Sequence, residues 1–105
     1  MGFRRYKLAS IQARIRKSNI SMRDYFLAMQ QDRESTQRRY DELRANISQL
    51  EYSRVGNWLS SINICRRTMQ RDREVLDSID YEIQQLLTVQ ENKDIYMRLK
   101  LEGLL

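Results

Sequence analysis

The chain has 105 residues, 19 Lys plus Arg against 14 Asp plus Glu for a formal charge of +5, no proline, no histidine, three glycines and one cysteine. That length holds one domain at most, and a proline-free chain that is 31% charged and 41% apolar points to long helices. Without histidine and with a single cysteine there is no Cys/His metal cluster, His-based triad or disulfide framework, so no enzyme, metal, cofactor or small-molecule substrate is expected.

The start, Met1-Gly2-Phe3-Arg4-Arg5-Tyr6, is basic but lacks the apolar run of a signal peptide. Tyr6 stands where a myristoylated Gly2 requires Ser or Thr. No window approaches the roughly 20 apolar residues that span a bilayer, so no integral membrane segment is expected and the cytoplasm is the expected location.

The first half carries a seam at Leu8, Ile11, Ile15, Ser18, Met22, Phe26, Met29, Arg33, Thr36, Tyr40, Leu43, Ile47 and Leu50. Its spacing alternates between three and four, the period of a coiled coil, with a stutter of two consecutive fours at Ser18-Met22-Phe26. Gly56 is the one interior breaker, suited to the left-handed position after a helix end, with Asn57 as a cap for the next helix. From Trp58 the seam resumes at Ile62, Cys65, Met69, Asp72, Leu76, Ile79, Ile83, Leu86, Gln90, Lys93, Met97, Lys100 and Leu104.

Folding the chain at Gly56 matches these two seams layer by layer. Leu50 meets Trp58, Ile47 meets Ile62, Leu43 meets Cys65 and Phe26 meets Ile83, while Thr36 faces Asp72 with Arg33 one layer away and Ser18 faces Gln90. Matched polar layers set register. The expected fold is all-α, a single antiparallel coiled-coil hairpin over 1–105 with helices over 3–54 and 58–104 and a turn at 55–57. An intermolecular antiparallel dimer, with Gly56 opened into a continuous helix, preserves the same pairings. Each arm of about 50 residues is roughly 75 Å long.

Charge is uneven along this hairpin. Residues 1–23 hold Arg4, Arg5, Lys7, Arg14, Arg16, Lys17 and Arg23 with no acid, and they lie beside a segment in which Lys93, Arg98 and Lys100 balance Glu91, Asp94 and Glu102. The paired termini therefore form a cationic end, and the remainder is close to balanced. The arginines Arg38, Arg39, Arg66, Arg67, Arg71 and Arg73 alternate with acids and read as solvated helix pairs. The carboxylates Asp72, Glu74, Asp77, Asp80 and Glu82 read as a solvated face, Cys65 as a small core residue, and Trp58 as a cap on the last core layer.

The basic Arg4-Arg5-Tyr6-Lys7 start leading into heptads, the turn near the midpoint, and a Trp58-to-Leu87 heptad stretch rich in Gln, Arg and Ile resemble the central-stalk proteins of bacterial type III secretion and flagellar export, the FliJ/YscO family with its EscO-like members. The resemblance implies a non-enzymatic stalk in the pore of a hexameric secretion ATPase. Such a stalk promotes ring assembly and ATP hydrolysis, links the ring to an export-gate protein and serves virulence-associated secretion, with chaperones as further partners. Its location is the bacterial cytoplasm, peripheral to the inner-membrane export apparatus. On this reading Arg4, Arg5, Lys7, Arg14, Arg16, Lys17, Arg98 and Lys100 engage the ATPase, and Glu51, Arg54, Trp58 and Ile62 at the turn meet a second partner. The other reading is a basic coiled-coil adaptor for nucleic acid or a partner helix. Nucleic acid is the less favoured ligand, since the basic segment precedes no parallel zipper and no zinc finger is present.

Overall fold

The computed structural model describes residues 6–105, which form four helices: α1 (Leu8–Ser18), α2 (Met22–Ser53), α3 (Trp58–Leu86) and α4 (Gln90–Leu101). The long helices α2 and α3 pack against each other within one chain. They run in opposite directions, because Arg66 pairs with Glu51, Asp72 with Arg39 and Asp80 with Arg33.

Two expected continuous helices are each broken once. The first break falls on the stutter. Asn19 adopts the left-handed conformation (φ 57°) and donates its N–H to Arg16 O, ending α1. Ser21 then caps α2, its Oγ accepting from the Asp24 N–H at 3.0 Å, and Asp24 places a negative charge on the first turn. A side chain that can take a positive φ followed by a strong N-cap makes the break cheaper than a locally unwound coiled coil.

The second break lies at 87–89. Thr88 Oγ1 donates to Gln85 O at 2.6 Å, and the buried Asn92 donates from Nδ2 to Leu86 O at 3.0 Å. These side chains satisfy carbonyls that a continuing helix would have used. The break resets the phase of the seam. Gln90, Lys93, Met97, Lys100 and Leu104, expected on the seam, are exposed; Asn92 and Leu99 are buried instead, flanked by half-buried Ile95 and Tyr96. Helix α4 ends in a Schellman motif at Gly103 (φ 76°), with Leu104 N–H donating to Leu99 O and Gly103 N–H to Lys100 O.

At the central turn Arg54 (φ 50°) and Gly56 (φ 58°) are both left-handed. Asn57 occupies the cap position of α3, but its side chain makes no capping hydrogen bond. The turn thus closes through backbone geometry rather than the expected Asn cap.

Because of the two breaks, α1 and α4 do not extend the stem. Helix α1 packs on α3 and α4 on α2, where Phe26 and Tyr96 meet edge-to-face at 5.2 Å. The result is a four-helix head whose core is Ile11, Ile15, Phe26, Met29, Ile79, Ile83, Leu86 and Leu99. Beyond it projects a two-helix stem that buries Ile62, Cys65 and Asp72. The molecule measures 53 × 32 × 21 Å. It is shorter than the expected arm of roughly 75 Å because only α2, about 48 Å at 1.5 Å per residue, spans its length.

Candidate interaction surfaces

On the head, the acid-free start is partly consumed by folding. Arg14 pairs with Glu82, its guanidinium lies 5.3 Å from the Tyr6 ring centre, and it donates to Tyr25 Oη at 3.3 Å. Tyr25 Oη in turn donates to Glu82 Oε2 at 3.1 Å. Arg14 therefore clamps α1 to α2 and α3 and is not a free contact. Arg23 binds Glu102 at 3.0 Å, joining the first turn of α2 to the end of α4.

The other expected contacts behave differently. Lys7, Arg16, Lys17 and Arg98 are exposed and form no ion pair with a described acid. Arg16 Nε reaches only Gln12 O, at 3.4 Å. Lys100 Nζ lies 5.2 Å from the Tyr96 ring centre. Arg4 and Arg5 lie outside the described residues. Arg16 and Lys17 end α1, and Arg98 and Lys100 end α4, where cations complement the helix dipole. Helix α1 ends just before α2 begins, and on the other side Arg98 lines a groove with Arg23, Glu91 and Asp94, so cations and carboxylates alternate there. Helix α1 and the first turns of α2 also border a groove of about 530 Å³, floored by Met29 and Ile79 and rimmed by Tyr6, Arg14, Asp32 and Glu82.

The stem carries an unexpected ion pair. Asp72 is fully buried on the seam, and Arg39 donates to it from Nε at 2.9 Å to Oδ2 and also through Nη2. The expected neighbour Arg33 instead pairs with Asp80 at 3.2 Å. An antiparallel seam leaves a carboxylate enclosed unless a long side chain one turn away reaches around the edge, and Arg39 has that reach. The Asp72 hydrogen bond and charge raise the pKa of Arg39. The acids at 72–82 are therefore not one solvated face: Asp72 is core, Asp80 and Glu82 are paired, and Asp77 is exposed.

At the turn, Glu51 pairs with Arg66 at 3.7 Å. Arg54 sits over the half-buried Trp58 ring at 5.4 Å. Ile62 is 3% exposed and belongs to the core, so it is withdrawn from any partner surface. The exposed apolar residues here are Tyr52 (88%), Val55 (72%) and Leu59 (61%), which the seam pattern passed over because they lie off its period.

Grouping the sequence charges by position in the fold gives three zones. Among the described residues the head segments 6–23 and 85–105 sum to +5, the waist segments 24–42 and 74–84 to −6, and the distal stem 43–73 to +4. The stretch outside the cationic end is thus not balanced throughout; it divides into an acidic waist and a second basic end. Among the described residues no group of His, Cys, Asp and Glu could hold a metal ion, and no helix is long and apolar enough to cross a membrane. No family model, curated protein or solved structure matches this chain.

Proposed function

We propose that the chain is a non-enzymatic stalk for a hexameric secretion ATPase of the bacterial export apparatus, built as a coiled-coil hairpin whose ends fold into a cationic head. The head engages acidic surfaces of the ring, promoting its assembly and ATP hydrolysis. The stem leads toward the export gate at the inner membrane. The observation that carries this reading is the set of exposed cations Arg16, Lys17 and Arg98 in the last turns of α1 and α4, without ion-pair partners among the described residues. Such a cluster steers an oppositely charged partner to one end of an elongated body.

Shape adds a second support. A two-helix stem is about 20 Å across at ~10 Å per helix, a width that suits a central channel. One asymmetric rod cannot contact six equivalent subunits alike, so its binding biases them unequally, as sequential hydrolysis requires. The test is the triple variant Arg16→Glu, Lys17→Glu, Arg98→Glu, which leaves the Arg14–Glu82 and Arg23–Glu102 pairs in place. Stimulation of the cognate ATPase should fall at least tenfold while the helical circular dichroism stays unchanged. Undiminished stimulation refutes the stalk reading, and tight, steeply salt-dependent binding to DNA or RNA without any effect on the ATPase replaces it with the nucleic-acid adaptor.

A further inference from the structure

We infer that the turn end of the stem docks end-on to an anionic lipid surface. This inference is independent of what the head binds. Residues 52–71 contain no acidic residue. The next acid, Asp72, is buried and held by Arg39, and Glu51 faces Arg66, so among the described residues the distal end offers arginines with almost no competing free carboxylate. The sequence conceals this, because Arg71-Asp72-Arg73-Glu74 reads as alternating charge until Asp72 is seen to be enclosed.

The tip itself is apolar and projecting. Tyr52, Val55 and Leu59 are mostly exposed around the turn, with Trp58 half-buried beneath Arg54. Arg67 follows about two and a half helical turns up the stem, roughly 14 Å from the tip, beside Arg66, whose charge Glu51 offsets. An apolar protrusion with aromatic rings and a basic collar is the combination that binds anionic membrane: the tip enters the headgroup boundary, and the collar meets lipid phosphates. Either signal alone binds only weakly; together they reinforce each other. The acidic waist sets the orientation, since a −6 band is repelled from the same surface and keeps the stem from lying flat. A flat protein partner would leave the projecting tip poorly packed, whereas a soft interface accommodates it.

Trp58 is the only tryptophan, so its emission reports directly on the tip. Phosphatidylcholine vesicles, with and without one third phosphatidylglycerol, are titrated into the full chain. With phosphatidylglycerol the Trp58 emission should shift to the blue, be quenched by brominated acyl chains, and the protein should co-sediment; phosphatidylcholine alone should do neither. Replacing Val55 and Leu59 with Ser should weaken partitioning at least tenfold, and Arg67→Gln about fivefold, with Arg66→Gln, already paired to Glu51, the smaller of the two. All four side chains are exposed, and circular dichroism verifies the fold. The inference is overturned by an unchanged Trp58 spectrum, by binding that Val55→Ser and Leu59→Ser leave intact, or by binding that Arg16→Glu and Lys17→Glu abolish. It is equally overturned if polyglutamate or RNA shifts Trp58 at lower concentration than the anionic vesicles.

Discussion

Arg39, itself 56% exposed, reaches over the edge of the stem to bind the fully buried carboxylate of Asp72. The two partners are therefore unequal. Removing Arg39 strands a charge inside the seam, while removing Asp72 leaves a guanidinium that water can solvate. Arg39→Ala should cost about 3 kcal/mol, the low end for breaking a buried pair. Asp72→Leu should be neutral or stabilising, and should weaken the register instead. Urea denaturation of both variants, with disulfide trapping between cysteines placed at alternative registers, checks the asymmetry.

The same pair fixes a pH expectation. Its carboxylate raises the Arg39 pKa, so the stabilisation gained by the guanidinium is present at every pH below its ordinary value. It is lost only as pH rises through the raised value. Between pH 7 and 10 the arginine should contribute no change in stability, and the stability difference between the wild type and Arg39→Ala, read from urea midpoints, should be constant across that range.

Each interior break has a side-chain hydrogen bond whose loss should be felt locally. Ser21→Ala removes the N-cap of α2 and should cost about 1 kcal/mol. Asn92→Ala removes the side-chain donor to Leu86 O, which keeps the Val89 N–H, and should cost about 1 kcal/mol. Amide hydrogen exchange should show the first loss around 19–24 and the second around 86–92, rather than uniformly along the stem.

Gly103 has a left-handed φ and open space where a Cβ would sit. Gly103→Ala should therefore be penalised by the backbone alone, about 1 kcal/mol, with no steric component. A thermal midpoint lowered by a few degrees without new exposed apolar surface meets this expectation.

Phe26 joins α2 to α4 and is 1% exposed. Phe26→Ala should cost about 3–5 kcal/mol and release α4 first, since Tyr96 loses its ring partner. Faster exchange in 90–101 than in 58–76 distinguishes this order from global unfolding.

Much of the stem was legible from periodicity. The seam from Ile62 to Leu86 is buried or half-buried throughout, and Gly56 does mark the turn. Ile11, Ile15, Phe26 and Met29 are core as their spacing predicts. The head was not legible as a head. The stutter at Ser18-Met22-Phe26 shows where the first helix departs from one phase, but a stutter is compatible with either a relaxed supercoil or a break. Ser21 with Asp24 three residues later was the local signal that favoured a break. At 87–89 the signal was weaker, because Thr88 and Asn92 act as caps only once the chain has already turned.

Sequence by itself determined the helical class, the midpoint turn and the total charge, since these follow from local propensity, short-range period and composition. Tertiary structure decided which charges remain available. Burial removed Asp72 from the surface and pairing consumed Arg14, while Arg16, Lys17 and Arg98 kept no ion-pair partner among the described residues and the turn end kept an excess of arginine. A formal charge becomes a field only after desolvation and ion pairing have been settled, and both depend on neighbours distant in the chain.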